Sequence, residues 1–333
     1  HGIQRLPKEL APEQKLLMQW MVMAEMVRKQ NIKLYQDSVK VCQNFEKEGF
    51  ANCILKGQGN ALLYPDPYMR TPGDIDIYLS GGRKKIMKYV DQVCPNQVMR
   101  YHHVDFPVMK TAIEVHFTPS YMFYPIHNRR MQKWFEKVMG EQCNHRVSLP
   151  DGYGEIHVPQ VSFNVIYILS HLYRHIFTEG IGLRQLLDYY FVLVKWHTDL
   201  TNLTDSNKSL PQMTQINTDL DTLRHELKYL GLWKFAQAVM FVMKEVFGLS
   251  EDRMIAPMDE REGSFLLDEI MRGGNFGQYD DRMGSKVGES KIHRYFRMNL
   301  RNLRFVKHYP TEALSEPLFR TWFAVWKKIH GIK

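Results

Sequence analysis

The sequence predicts an α+β protein with a small mixed β-sheet, flanking helices and an all-helical C-terminal part. Short β-type runs follow one another between residues 51 and 158, and helical patterns fill almost all of the chain after Pro159. Such a change separates a sheet-containing layer from a purely helical one. We therefore expect an N-terminal helical segment (1–50), a sheet-containing domain (51–158) and a helical domain (159–333).

Composition narrows the class of protein. The chain has 333 residues, of which 44% are hydrophobic and 24% charged, as in globular rather than disordered proteins. Its apolar runs fall short of the roughly 20 residues that a membrane-spanning helix needs, and no secretory signal pattern is found. The four cysteines are widely spaced without a C-x-x-C pair, which argues against a zinc site or a disulfide framework. We expect reduced thiols and a cytoplasmic protein.

The predicted elements follow from the period of the apolar residues. Residues 11–48 carry an apolar helical face, so one or two helices are expected there. Strand patterns lie at 53–56, 74–79, 98–104, 112–118, 145–149 and 155–158, with one helical pattern at 83–93. Further helical patterns lie at 160–178, 182–197, 214–230, 232–247, 263–272, 290–308 and 311–329. The polar stretch Thr198–Thr214 predicts a long loop, and Gly273–Gly277 predicts a flexible turn.

Positive charge is concentrated near the C-terminus. The formal net charge is +8, and the whole excess falls within residues 270–333. Basic side chains recur there every three or four positions, as one stripe along a predicted helix: Lys291, Arg294, Arg297, Arg301, Arg304 and His308. The buried face of that helix would then consist of Ile292, Phe296, Leu300, Leu303 and Val306. The stripe is either a solvated face or a surface for an anionic partner such as RNA.

Two predicted strands carry carboxylates on one face. Asp74 and Asp76 are two residues apart in a strand, so their side chains project to the same side. Glu114 and His116 repeat this arrangement on a later strand. Neighbouring carboxylates repel each other unless a cation neutralises them, and hard divalent ions prefer oxygen ligands. The pattern predicts a site for Mg²⁺, with Mn²⁺ as a substitute, at Asp74, Asp76 and Glu114.

A glycine turn precedes the first of these strands. Lys56 ends a predicted strand, and Gly57-Gln58-Gly59 leads into a helix that begins at Asn60. The N–H groups and the positive dipole end at the start of a helix suit a phosphate group. Lys56 and Arg70 add positive charge nearby, so the sequence places a phosphate-binding turn beside the carboxylates.

Together these motifs resemble the DNA polymerase beta-like nucleotidyltransferase superfamily and, more closely, the bacterial uncharacterised nucleotidyltransferase family. The resemblance rests on Leu55-Lys56-Gly57, Leu63-Tyr64-Pro65-Asp66-Pro67, Arg70, Gly73-Asp74-Ile75-Asp76-Ile77 and Ile113-Glu114-Val115-His116. It continues to about residue 195 through His171, His175, Arg184 and Asp188. The turn departs from the superfamily pattern, which usually has Gly-Gly or Gly-Ser and a shorter gap to the first aspartate, because 15 residues separate Gln58 from Asp74.

The resemblance implies a Mg²⁺-dependent enzyme that moves a nucleoside monophosphate, AMP first among the candidates, from an NTP to an acceptor. Asp74, Asp76 and Glu114 would hold the metal, and Glu114 would help to activate the acceptor hydroxyl. The implied acceptor is a small molecule, a saccharide, a protein or RNA, with the helical domain forming its side of the cleft.

The resemblance also implies roles for other residues. The β- and γ-phosphates would be contacted by Lys56, Gly57 and Gln58. Arg70 would neutralise charge in the transition state. His116 would either orient Glu114 or simply lie on the strand surface.

Two pairs in the helical part are candidates for the cleft wall. His171 and His175 are four residues apart, so they share a helix face. They would line the cleft or, with Glu114 or Asp188, bind zinc. Arg184 and Asp188 have the same spacing and would belong to the cleft or form a structural ion pair.

Two readings compete with a transferase that acts on an unidentified acceptor. The chain could be a non-catalytic nucleotide-binding or interaction protein, or an enzyme that acts on RNA through the basic C-terminal helix. The presence of all three acids favours catalysis over the first of these. A steep fall of binding with salt would favour the second.

Overall fold

The computed structural model describes residues 11–206, 212–274 and 290–331 of the chain. In these residues it is an α+β structure, as the sequence predicts. The strands are β1 (Asn52–Leu55), β2 (Ile75–Leu79), β3 (His103–Asp105), β4 (Ile113–His116), β5 (Arg146–Ser148) and β6 (Glu155–His157). The helices are α1 (Gln14–Lys47), α2 (Gly57–Ala61), α3 (Gly82–Val93), α4 (Pro125–Gln142), α5 (Val161–Thr178), α6 (Leu183–Ser206), α7 (Gln212–Tyr229), α8 (Trp233–Phe247), α9 (Glu260–Gly273), α10 (Lys291–Val306) and α11 (Pro310–Ile329).

The first four strands form one mixed sheet in the order β1-β2-β4-β3. β2 is parallel to β4, whereas β1 and β3 are each antiparallel to their neighbours. Ile75, Ile77 and Val115 are fully buried in one apolar cluster with Tyr35 and Phe45 of α1. Because these apolar residues alternate with the polar ones, the carboxylates of β2 and β4 remain on the opposite face of the sheet.

A second apolar cluster joins the sheet to the helical part. It contains Cys53 and Leu55 of β1 together with α4, α5 and the helices that follow. α5 lies at its centre, since nearly every residue from Phe163 to Phe177 is buried. Among the described residues, no helix is both long and apolar enough to cross a bilayer. The domain boundaries remain a prediction, and α4, which precedes residue 158, packs with the helical cluster.

The helices differ from the prediction in two places. α4 was not expected, although Met131, Phe135 and Met139 recur every four residues after Pro125 and are all buried. The long loop predicted at Thr198–Thr214 is mostly helix, since α6 runs to Ser206 and α7 begins at Gln212. Polar side chains bond within α6 instead of breaking it: Lys195 Nζ contacts Asp199 Oδ1 at 2.6 Å, and Thr198 Oγ1 donates to the Val194 carbonyl. The predicted turn at Gly273–Gly277 lies outside the described residues from Asn275 onward.

The buried face of α10 also differs from the prediction. Phe296, Leu300 and Leu303 are exposed, whereas Asn302 and Phe305 are buried. Asn302 Nδ2 donates to the Phe177 carbonyl at 3.0 Å and to Glu316 Oε2 of α11 at 3.2 Å. The position of these partners, not the apolar stripe, therefore sets how α10 is oriented.

The basic stripe of α10 is correspondingly not a continuous solvated face. Arg301 is buried, and Arg304 pairs with Glu269 of α9. The side chains of Lys291 and Arg294 lie outside the described residues. Among the stripe residues whose side chains are described, some basic side chains are thus engaged in contacts within the protein.

Candidate active site

The carboxylates meet on one face of the mixed sheet, at the N-terminal ends of its two central strands, β2 and β4. Asp76 of β2 and Glu114 of β4 are direct neighbours in the parallel pairing of the two strands. Asp74 lies just before β2 and opens to the surface. The alternation that buries Ile75 and Ile77 places both aspartates on the same side, so the predicted juxtaposition is present.

Asp76 is the most tightly held of the three acids. Its Oδ2 lies 3.1 Å from Lys56 Nζ, and its Oδ1 lies 2.9 Å from His116 Nε2. Burial alone would raise the pKa of Asp76, but the Lys56 ammonium and the His116 hydrogen bond together hold it well below its usual range. Asp76 is therefore ionised, and Lys56 balances its charge.

The surroundings of Asp74 shift its pKa in the opposite direction. The negative charge of Asp76 raises the pKa of Asp74 to about 6. A pair of carboxylates with pKa values pushed apart is the arrangement that a bound cation would relieve, because a nearby positive charge stabilises both ionised forms.

Imidazoles surround these acids. His116 is buried and contacts both Asp76 and Glu114, so it lies inside the site and not on the open strand surface. His102 and His103, which the sequence analysis did not single out, are buried beside it. Among the described residues, donor atoms within 4.8 Å of one another occur in three overlapping groups: Asp76, Glu114 and His116; His102, His103 and His116; and His103, Asp105 and Glu114.

The sequence contains only a weak indication that His102 and His103 belong to the site. His103 and Asp105 alternate along β3 as Glu114 and His116 do along β4, and the two strands pair in register. Only that pairing brings the two motifs together, and it is not readable from either motif alone.

The glycine turn has an unusual backbone conformation. Lys56 has φ 54° and Gly57 has φ 42°, so the chain turns sharply between β1 and α2. A non-glycine residue in this region is strained, and such strain collects at functional sites. Gly59 lets α2 approach Val158 closely, since a Cβ there would lie 2.9 Å from Val158 Cγ1. Gln58 is fully buried, and its side-chain amide atoms find no hydrogen-bond partner among the described residues.

A narrow pocket opens between this turn and α5 and α6. Lys56, Gly57 and Asn60 line one side, and Arg184 and Asp188 line the other. Asn60 was not predicted; it is 1% exposed, and its amide atoms find no hydrogen-bond partner among the described residues. These are the polar groups available to a ligand that enters from this side.

Arg70 fixes the wall of this pocket. Its Nε and Nη2 donate to the two oxygens of Asp188 at 2.9 and 2.8 Å, and both side chains are buried. Tyr64 Oη donates to the same carboxylate at 2.6 Å. Asp188 thus joins the loop before β2 to α6, and Arg70 is held by this ion pair.

A second, larger groove of about 820 Å³ reaches the carboxylates from the other side. Its walls come from β3, β4, α5 and α11, and it shares Lys56, Asp74, Asp76 and His171 with the narrow pocket. Glu114 lines this groove, as do Phe323 and Lys327 of α11. The carboxylate pair therefore stands at the junction of two cavities.

His171 and His175 of α5 line the wall of this groove. His171 Nε2 is 3.3 Å from Lys56 Nζ, and Arg174 Nη2 lies 2.9 Å from His175 Nε2. Burial lowers the pKa of both histidines, with Lys56 adding to the effect at His171 and Arg174 at His175. His175 Nδ1 also contacts Glu179 at 3.2 Å. Both imidazoles are consequently neutral near pH 7.

Comparison with known proteins agrees with this geometry. The model of the uncharacterised nucleotidyltransferase family matches residues 1–248. No curated protein and no solved structure matches the chain. A bacterial source and the wider polymerase beta-like relationship remain predictions. Because the match covers well over half of the chain, the protein belongs to the uncharacterised nucleotidyltransferase family and is a transferase of phosphorus-containing groups.

Proposed function

We propose that the protein transfers a nucleoside monophosphate, AMP first among the candidates, from an NTP to an acceptor and releases pyrophosphate. One observation carries this proposal: Asp74 and Asp76 lie where two cavities meet. A transfer reaction needs a donor and an acceptor on opposite sides of the reacting phosphorus, and two cavities that share their acidic residues provide that arrangement.

The narrow pocket is the donor side. Lys56 and Arg184 supply positive charge there, and the backbone of Gly57 borders the same space. The amide of Asn60 is available for hydrogen bonds to the nucleotide. Arg70 lines this pocket and also supports its wall through the ion pair with Asp188. Its implied role, to neutralise charge in the transition state, stays part of the proposal.

The acids fit a divalent cation such as Mg²⁺ or Mn²⁺. Asp76 is ionised and buried, Asp74 is an adjacent carboxylate of raised pKa, and Glu114 lies beside Asp76 on the next strand. A cation held by Asp74, Asp76 and Glu114 would neutralise phosphate charge and stabilise the pyrophosphate leaving group. Lys56 supplies positive charge to the Asp76 carboxylate and to the phosphates on the donor side.

The larger groove is the acceptor side. Glu114 faces this groove and not the donor pocket, so its carboxylate oxygen is placed to take the proton of an acceptor hydroxyl. His116 and His103 both contact Glu114 Oε2 and orient it. The groove walls mix cationic and aromatic side chains, and they leave small-molecule, saccharide, protein and RNA acceptors open.

A transfer assay tests this proposal. Each NTP labelled at the α-phosphate is incubated with Mg²⁺, the protein and fractions of a cell extract, and label transfer and pyrophosphate release are followed together. Wild type should label a discrete acceptor with one NTP. Glu114→Gln should lose transfer while it retains nucleotide binding, whereas Asp74→Asn/Asp76→Asn should lose both.

The outcome also separates the alternatives. Binding of an NTP without transfer in every fraction would favour a non-catalytic nucleotide-binding protein. Label that appears only in RNA, with binding that falls steeply with salt, would favour the RNA-acting enzyme.

A further inference from the structure

Three buried histidines meet beside the acids, and the transfer proposed above uses them only to hold Asp76 and to orient Glu114. His102, His103 and His116 are 4%, 5% and 1% exposed, and their ring centroids lie 4.4 to 5.1 Å apart. Three imidazoles packed together without solvent are costly unless their nitrogens have partners. Their shared surroundings therefore need an explanation.

The nitrogens that face one another have the spacing of metal ligands. His102 Nε2 lies 3.3 Å from His103 Nδ1, which lies 3.3 Å from Glu114 Oε2. That same oxygen lies 3.6 Å from His116 Nε2. Metal–ligand distances of about 2.0–2.2 Å place neighbouring donors of a tetrahedral site roughly 3.3–3.6 Å apart. The His102–His103 spacing falls within that range, and one donor atom from each of His102, His103 and His116 lies within 4.8 Å of the other two.

The outward nitrogens point to the same conclusion. His102 Nδ1, His103 Nε2 and His116 Nδ1 make no hydrogen bond among the described residues. The polar contacts of the His102 and His103 rings therefore lie within the cluster and at Glu114, whereas His116 Nε2 contacts Asp76 Oδ1 at 2.9 Å as well as Glu114. The backbone fixes this arrangement, since His103 and His116 are paired across β3 and β4 and the His102 carbonyl accepts from Phe117 N at 2.8 Å.

We propose that His102, His103 and His116 form a binding site for one divalent transition-metal ion of the Zn²⁺ class. Three imidazole nitrogens are typical ligands of zinc, and the fourth position of such a site is open to water or another ligand, whereas Mg²⁺ prefers oxygen donors throughout. The site is distinct from the Asp74–Asp76 pair, and Glu114 lies beside it, 3.3 Å from His103 Nδ1 and 3.6 Å from His116 Nε2. An ion held here would stabilise the Glu114 carboxylate at the acceptor groove, a consequence that rests on the proposed function, whereas the site itself does not.

Cobalt titration of the full-length protein, stripped of metal and free of nucleotide, tests the site directly. Co²⁺ reports tetrahedral nitrogen and oxygen ligation through intense visible absorption, and Zn²⁺ should displace it. We expect one equivalent to bind wild type in the presence of millimolar Mg²⁺. His103→Gln and His102→Gln should each weaken binding by about 100-fold or more, because loss of a hydrogen-bond partner of a ligand alone costs about 10–100-fold.

Matched variants keep the test decisive. His293→Gln changes an exposed histidine of α10 and should bind Co²⁺ like wild type. Asp74→Asn should also retain Co²⁺, so that loss of Mg²⁺-dependent nucleotide binding in that variant leaves this site untouched. Circular dichroism establishes that each variant is folded; if a glutamine variant unfolds, His103→Asn replaces it. Folded wild type that binds no Co²⁺ at 1:1 stoichiometry, or histidine variants that bind it equally well, would overturn the proposal.

Discussion

Lys56 makes several contacts at the junction of the two cavities. It follows β1 in a left-handed backbone conformation, its Nζ lies 3.1 Å from Asp76 Oδ2 and 3.3 Å from His171 Nε2, and it borders both cavities. Strain at a non-glycine residue persists only where the surrounding structure holds it. Here the contacts with Asp76 and His171 hold Lys56 in this conformation.

The buried ion pair of Arg70 with Asp188 yields a prediction about stability. Arg70→Met removes the only cation bonded to both oxygens of Asp188 among the described residues, so a buried carboxylate loses its partner. We expect a loss of about 3–5 kcal/mol in the free energy of unfolding, measured by urea denaturation. Arg70→Met/Asp188→Leu should recover most of it.

The exposed pair Lys195–Asp199 is the matched control for that measurement. Both side chains are more than a third exposed, so Lys195→Met should change stability by about 1 kcal/mol at most. Equal losses in Lys195→Met and Arg70→Met would contradict the assignment of Arg70 as the residue that holds the pocket wall.

Gly59 supports a second prediction at this scale. An alanine Cβ there would lie 2.9 Å from Val158, so Gly59→Ala should destabilise the protein by about 1–3 kcal/mol and displace the turn at Lys56. Val158→Ala in the same chain should relieve the overlap. Gly140→Ala in α4 has open space around its Cβ and should be neutral or stabilising by up to about 1 kcal/mol. Thermal unfolding compares the three, and a harmless Gly59→Ala would show that α2 does not pack as described.

At the scale of elements, the sheet was largely predictable and the helical packing was not. Period-two alternation defines β2 and β4 locally, so Asp76 and Glu114 could be placed on one face from sequence alone. The orientation of α10 depends instead on Asn302 bonding to Glu316 and Phe177, which lie far away in the chain. The same reason hid the histidines of β3, whose role appears only when β3 pairs with β4.

The buried histidines of helix α5 make the stability of the protein depend on pH. The pKa of His175 is lowered to about 4, and that of His171 lies well below its usual value. The unfolded chain therefore binds more protons than the folded one below pH 6.5, so stability falls as pH falls through that value. The charged groups that face the pair are Lys56, Arg174 and Glu179, and none of them reverses this sign.

Each of these two imidazoles loses about 1.4 kcal/mol at one pH unit below the unfolded pKa of about 6.5, so the expected loss between pH 7.5 and 5.5 is about 2–3 kcal/mol for the pair. His171→Gln/His175→Gln should therefore show a smaller loss than wild type over the same interval in urea denaturation. His330→Gln, an exposed histidine after α11, should keep the wild-type dependence. An unchanged pH dependence in the double variant would contradict the description of α5 as carrying buried, neutral imidazoles.

At the scale of the whole molecule, the site draws on more of the chain than the family match covers. The match ends at residue 248, yet Phe323 and Lys327 of α11 line the larger groove. The acids and the turn lie within the matched residues, in short local motifs. One wall of the larger groove is formed by α11, beyond residue 248, and only the fold places it beside β3, β4 and α5.

The central claim is that Asp74 and Asp76 bind a nucleotide through a divalent cation. Calorimetric titration of each NTP with Mg²⁺ into wild type, Asp74→Asn/Asp76→Asn and the exposed control Asp91→Asn tests it most directly. We predict that one NTP binds wild type and Asp91→Asn only when Mg²⁺ is present, and that binding is lost in the folded double variant. Folded wild type that binds no NTP, or a double variant that binds as tightly as wild type, would contradict the claim.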